Sequence, residues 1–196
     1  MPKRFKKQYI SFFVILLAAH AGCGLFDTRT PEDPINSRST FVPPTSPDAV
    51  ISNLTYSISQ KNSNNYDKCI SDISYVYTPD SKSALVYGSI FQFWNKNSEM
   101  FYYQNLIAQT NTNASSNLFI SNKEIALITS DSAIATADYI VVYQHNKASL
   151  PKTSIGNVKL TITADESNNF YIKKWEDYRK NDTDFTWSEL KANFSN

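Results

Sequence analysis

The stretch Ala133-Ile-Ala-Thr-Ala-Asp138-Tyr-Ile-Val-Val-Tyr143-Gln-His145 decides the fold. In an extended chain successive side chains face opposite ways, so Tyr139, Val141 and Tyr143 share one face while Ile140 and Val142 share the other. Both faces are apolar midway along, which predicts a strand in the interior of a sheet. Its neighbours in sequence carry the same period. Leu118 to Ser130 reads as a strand whose apolar phase switches from Leu118 and Ile120 to Ile125 and Leu127, and this predicts a bulge or bend near Asn122 to Glu124. Val158, Leu160 and Ile162 alternate with Lys159, Thr161 and Thr163 on a further strand. Asp165 to Asn169 is a turn and Phe170 to Trp175 a fourth strand; a short closing helix is expected at Trp187-Ser-Glu-Leu-Lys-Ala.

The preceding half has a different period. Ser46 is a candidate N-cap, Pro47 suits a first helical position, and Val50, Ile51, Leu54 and Ile58 recur at helical spacing, predicting a helix from Pro47 to about Lys61. A second short helix from Asn65 to Ser71 would place Tyr66, Cys69 and Ile70 on one side. Ile73 to Tyr77 is β-branched and aromatic, a short strand ended by Thr78-Pro79-Asp80. Ser83 to Phe93 has no clean period. From Asn97 to Gln109 a helix is expected, with Met100, Phe101, Gln104, Leu106, Ile107 and Ala108 as its apolar face and Glu99 in its first turn. Helices followed by a meander make an α+β protein: N-terminal helices packed on a curved antiparallel sheet of about four to five strands.

This order of elements, over roughly Ser46 to Trp175, resembles the NTF2-like, cystatin-related superfamily. The resemblance implies a cone-shaped cavity between helix and sheet, which some relatives use for acid–base catalysis and many use only to bind or assemble. Tyr139, Tyr143 and His145 share a face of the long strand. Asp138 points the other way, so an Asp138–His145 dyad fails on parity unless a bulge intervenes. His145, at a strand end beside Asn146 and Lys147, reads as a solvated side chain. Trp94 and Phe101 read as core. Tyr102 and Tyr103 suit a cavity rim, since a phenol joins apolar area to a polar tip. The candidate pocket residues are therefore Tyr102, Tyr103, Tyr139, Tyr143 and His145, with no catalytic residue and no cofactor or metal ligand assigned.

The beginning of the chain bears on where the domain works. Lys3, Arg4, Lys6 and Lys7 precede an apolar segment from Ile10 to Ala19 and a small-residue exit at Ala21-Gly22-Cys23, the pattern of a secretory signal peptide. The apolar run is about half of the ~20 residues a spanning helix needs. Two cleavages fit the exit. Ala19-His20-Ala21 matches the A-x-A rule for a cut before Gly22, whereas Ala21-Gly22-Cys23 resembles a lipobox, with His20 where an aliphatic residue is usual. Residues 27–47 are rich in Pro, Ser, Thr and charge and read as a tether. The run from Cys23 to Pro34, with Phe41-Val-Pro-Pro-Thr-Ser-Pro-Asp48, is similar to uncharacterised lipoproteins of the Bacteroidetes–Chlorobi–Ignavibacteria lineage. That resemblance implies a lipid on Cys23, and Gly24 after it implies an outer-membrane address.

Three segments are expected: residues 1–22 as signal peptide, 23–46 as lipid-anchored tether and 47–196 as one NTF2-like domain. Without the four leading basic residues the chain carries 15 basic against 18 acidic side chains, a balance that argues against a nucleic-acid partner. An unacylated Cys23 could pair with Cys69, which otherwise reads as a small buried hydrophobe. The expected role is a non-enzymatic binding or assembly module held at the membrane by its lipid, with an envelope protein or a second copy as partner. The rival is an NTF2-like enzyme with a small hydrophobic ligand in its cavity.

Overall fold

The computed structural model describes residues 40–195. Cys23, the signal segment and most of the expected tether lie outside the described residues. Helix α1 spans Pro47–Ser59: the Ser46 hydroxyl accepts the Ala49 N–H, Pro47 opens the first turn, and Val50, Ile51, Leu54 and Ile58 form the buried stripe. The helix ends before Lys61, whose φ of 52° turns the chain. Asn62 then caps α2, Ser63–Asp67. This helix starts earlier and ends earlier than the expected Asn65 to Ser71, so Cys69 and Ile70 lie beyond its end, yet Tyr66, Cys69 and Ile70 are all buried.

Strand β1 covers Val76–Thr78, a shorter element than Ile73 to Tyr77 suggests. The stretch without a clean period folds as two short helices, α3 (Ser81–Val86) and α4 (Gly88–Phe91). Helix α5, Lys96–Ala108, starts with a reciprocal cap between Asn95 and Ser98. Strands β2 (Asn117–Thr129), β3 (Ser132–Val142), β4 (Thr153–Ala164) and β5 (Phe170–Tyr178) follow, and α6 (Trp187–Phe194) closes the described chain.

The sheet order is β1-β5-β4-β3-β2. Strands β2 to β5 form the expected antiparallel meander, with β3 inside the sheet. β1 runs parallel to β5, so the sheet is mixed where an antiparallel one was expected. The reason is connectivity. β1 is reached and left through helices, so no hairpin forces it to run against its neighbour. The bulge falls where the phase switch puts it: the β2–β3 register shifts between Ser121 and Glu124, and Asn122 adopts φ 49°.

The concave side of the sheet carries the core. Ala133, Ala135 and Ala137 on β3 are buried, and their small side chains leave room for Ile51 and Leu54 of α1 to approach the sheet. Val158, Leu160 and Ile162 of β4 and Ile172 and Trp175 of β5 continue this surface. On the convex side Phe119 pairs with Ile140 and Ile140 with Ile155, with Phe119 57% and Ile140 41% exposed. The end of the expected tether is seated. Val42 exchanges two hydrogen bonds with the Asn53 side chain (2.9 and 2.8 Å), and the Pro44 carbonyl accepts the Phe170 N–H at 2.7 Å.

Candidate functional site

Two helical stripes decide what fills the cone. On α5 the buried residues are Glu99, Tyr102, Tyr103 and Leu106, spaced i, i+3, i+4, i+7. This stripe is rotated from the expected one, and Phe101 is 51% exposed. Tyrosines whose hydroxyls find partners, and a carboxylate that is fully satisfied, tolerate burial. On α6 the same spacing buries Trp187, Leu190, Lys191 and Phe194, behind a capping box of Thr186 and Glu189. α6 packs against α5 and β4, with Trp187 seated on Tyr139 and Trp175 of the concave sheet face.

Glu99 and Lys191 meet there, both with no solvent exposure. The Lys191 ammonium donates to both carboxylate oxygens, at 2.7 Å to Oε1 and 2.8 Å to Oε2. Three further side chains donate to Glu99: Tyr66 at 2.6 Å, Tyr75 at 2.9 Å and the Trp94 indole N–H at 2.8 Å. Burial, and then the Glu99 charge, pushes the Tyr66 and Tyr75 phenols far above their ordinary range, so both remain donors. Lys191 also lies 3.8 Å from the Tyr77 ring centroid and 4.1 Å from that of Trp175. Burial pulls its ammonium below the usual lysine value, while Glu99 and Asp177 act against that shift.

A second inward carboxylate, Asp177 of β5, accepts from Tyr139 (2.7 Å), from the Ser188 backbone N–H (2.7 Å) and from the Ser188 hydroxyl (2.5 Å). Burial raises its carboxyl above the usual range against these donors. At the edge of the cone Asp80 receives Thr186 (2.7 Å) and the Arg179 Nε–H (3.2 Å), and Arg179 also reaches Glu189 at 2.9 Å. Burial raises the Asp80 carboxyl, but Ser83, Thr186 and Arg179 outweigh it and hold the group below its ordinary value. These contacts fasten α6 and the chain leading to it onto the body of the domain.

The space left over is small. A void of about 10 Å³ lies between Ile51, Leu54, Ile120, Ala135, Trp175 and Trp187. Small-molecule sites measure roughly 300–1,000 Å³, and a single water needs about 10–15 Å³. Trp187 is the reason: its ring meets Trp175 edge-on at 4.6 Å and Tyr139 at 5.2 Å, its indole N–H donates to Tyr102 at 2.9 Å, and its backbone N–H donates to Tyr139 at 2.8 Å. Wider depressions of about 290 and 350 Å³ lie elsewhere, one beside Lys68, Lys96 and Asp165, the other over Asp138, Asn157 and Tyr178.

The five candidate pocket residues divide into three settings. Tyr102 and Tyr103 are 0 and 1% exposed, so neither stands at a rim. Tyr103 stacks on Tyr66 at 3.9 Å, donates to the Ser57 carbonyl at 2.8 Å and accepts from Tyr143 at 2.9 Å. Tyr139 belongs with Asp177 and Trp187. His145 stands apart from the cone's carboxylates and is buried instead of solvated, because the Lys152 ammonium, the Pro151 carbonyl and the Phe194 ring enclose it. Asp138 lies on the convex face, as parity requires, where Asn122, Asn157 and Lys180 donate to it.

Glu99, Asp177 and Lys191 were missed in the sequence reading. The signal that could have found Glu99 and Lys191 is their phase, since each occupies a core position of an i, i+3, i+4, i+7 stripe. Among the described residues no three His, Cys, Asp or Glu side chains are grouped to hold a metal ion, and no helix is long and apolar enough to cross a membrane.

No protein-family model and no curated protein matches the sequence. Solved structures do match the architecture. A protein provisionally named an aromatic ring hydroxylase, from Novosphingobium aromaticivorans, aligns over 81% of this chain and 99% of its own, with a TM-score of 0.54 at 10% identity. An NTF2-like protein from Cytophaga hutchinsonii aligns over 66% and 92%, with a TM-score of 0.50 at 9% identity. A ketosteroid isomerase-like protein from Erwinia carotovora atroseptica aligns over 68% and 93%, with a TM-score of 0.50 at 7% identity. The fold is NTF2-like, and at these identities the likeness is one of fold alone.

Proposed function

We propose that this protein is a membrane-tethered module of the bacterial cell envelope, anchored through lipid on Cys23 with an outer-membrane address, that binds or assembles through its surface. The filled cone supports the non-enzymatic part of this reading, and the tether rests on the sequence around Cys23. A catalytic cavity needs volume for a substrate and a titratable group free to meet it. Here about 10 Å³ remains, and the two inward carboxylates are engaged by the chain's own donors. The hydroxylase and isomerase names of the fold neighbours suggest the rival, an enzyme for a small hydrophobic substrate, but the packing of Trp187 in the cone favours the binding module. The exposed convex row of Phe119 and Ile140 offers apolar area for an envelope protein or a second copy instead.

Native mass spectrometry of the full chain extracted from membranes tests the proposal. The expected species begins at Cys23, carries the mass of an acyl lipid and holds no hydrophobic small molecule. Cys23→Ser should release the protein from the membrane fraction. An unchanged mass and fractionation for that variant would refute the anchor. A stoichiometric hydrophobic compound retained by the domain would refute the filled interior and restore the enzyme.

A further inference from the structure

The surroundings of Lys191 have the composition of a ligand site. Glu99 supplies a carboxylate from α5, aimed by Tyr66, Tyr75 and Trp94. These three donors are neutral, so they orient the carboxylate and leave its charge to be balanced by an ammonium. Tyr77 of β1 and Trp175 of β5 present ring faces to that ammonium at 3.8 and 4.1 Å, and Tyr102 stands at 5.8 Å. A cation over aromatic faces gains most when water is excluded, and aromatic cages recognise organic ammonium ions in this way. Except for the Trp187 ring at 5.9 Å, every wall comes from outside α6. The receptor therefore belongs to the body of the domain and the cation to its last helix.

We propose that this site is a receptor for primary alkylammonium groups, occupied in cis by Lys191. The preference for a primary ammonium follows from the two N–H donations to Glu99, which a quaternary ion cannot make. The four-carbon lysine stem matches a short alkyl chain, and the rings that flank it disfavour a hydrated inorganic cation. Because Lys191 is covalently attached, its effective concentration at Glu99 exceeds that of free amine, and α6 acts as a built-in competitor.

Removing the competitor tests the proposal in the full chain. Lys191→Ala deletes the equivalent of n-propylammonium, and that compound, as its chloride, is the probe. The expected result is a saturable rise of several degrees in the unfolding midpoint of K191A, as for any ligand of the native state alone. Sodium chloride, tetramethylammonium chloride and 1-propanol should not reproduce it. Lys191→Met fills the same volume without charge and should abolish the rise, as should Glu99→Gln added to K191A. An equal response to tetramethylammonium, or an equal rise in K191M, would overturn the proposal. If K191A does not fold in plain buffer, refolding yield replaces the midpoint. Recovery with propylammonium above that with sodium chloride supports the site, and no recovery refutes it.

Discussion

Glu99 and Lys191 lie 92 positions apart in sequence and meet, both wholly buried, as a two-pronged ion pair joining α5 to α6. Such a pair contributes little net stability compared with apolar packing, because both ions lose their hydration. Removing one partner is far costlier, at about 3–5 kcal/mol, because the other charge stays buried. The two deletions should differ. Lys191→Met leaves Glu99 with Tyr66, Tyr75 and Trp94 as donors, whereas Glu99→Gln leaves an ammonium with no hydrogen-bonded carboxylate and only the Asp177 charge to balance it. Urea denaturation should show a loss of about 3–5 kcal/mol for E99Q and a smaller one for K191M. The opposite order would mean that the rings, and not Glu99, hold the ammonium.

Gly156 packs where a side chain has no place. A Cβ there would lie 2.5 Å from the Tyr139 hydroxyl and 2.6 Å from the Tyr178 carbonyl. Gly156→Ala should push Tyr139 away from Asp177 and the Trp187 N–H, at a cost of about 1–3 kcal/mol. Chemical denaturation reads the loss, and near-ultraviolet circular dichroism reads the displaced rings. A midpoint equal to that of the parent would show that Tyr139 adjusts freely.

His145 predicts an acid-sensitive step. Its Nδ1 faces the Lys152 ammonium at 3.0 Å and its Nε2 the Pro151 carbonyl at 3.0 Å, a pattern that calls for the neutral ring protonated on Nε2. Burial first, and then the charges of Lys152 and Lys147, hold its pKa below the ordinary histidine value. The unfolded chain therefore takes up a proton that the native chain resists. The contribution is fully present above about pH 6.5 and is lost as pH falls toward the folded pKa. Midpoints measured between pH 7 and pH 5 should fall in the parent and flatten in His145→Gln. Parallel curves would exclude His145 as the source.

The convex row predicts a separation of stability from association. Phe119→Lys changes an exposed position whose cross-strand partner is Ile140, so the unfolding free energy should move by about 1 kcal/mol or less. If the proposed assembly role holds, sedimentation of the full-length protein should nevertheless show a lost partner or second copy. Retained association would place the contact surface elsewhere.

Much of this architecture is legible from residues alone. Val50 to Ile58 and Ala133 to Tyr143 carry the periods of helix and strand, and the phase switch between Ile120 and Ile125 locates the bulge at Asn122. The same parity places Asp138 opposite Tyr139. The α5 stripe was less legible, because Met100 and Phe101 are apolar and Glu99 is charged. Hydropathy alone therefore turns the helix to the wrong face. Glu99 is buried only because the nearby Trp94 indole and three groups distant in sequence, Tyr66, Tyr75 and the Lys191 ammonium, arrive around it.

By itself, then, the sequence determined α1, α5 and α6, the meander strands, the bulge and the facing of β3, since each follows from repeats spanning a few residues, whereas α3 and α4 carry no such repeat. Only the tertiary structure decided what occupies the cone. Trp187 and Lys191 reach Tyr139 and Glu99 across 48 and 92 positions; local periodicity can mark such residues as inward-facing but carries no information on which partners they meet. That packing turned an expected cavity into a polar, aromatic core.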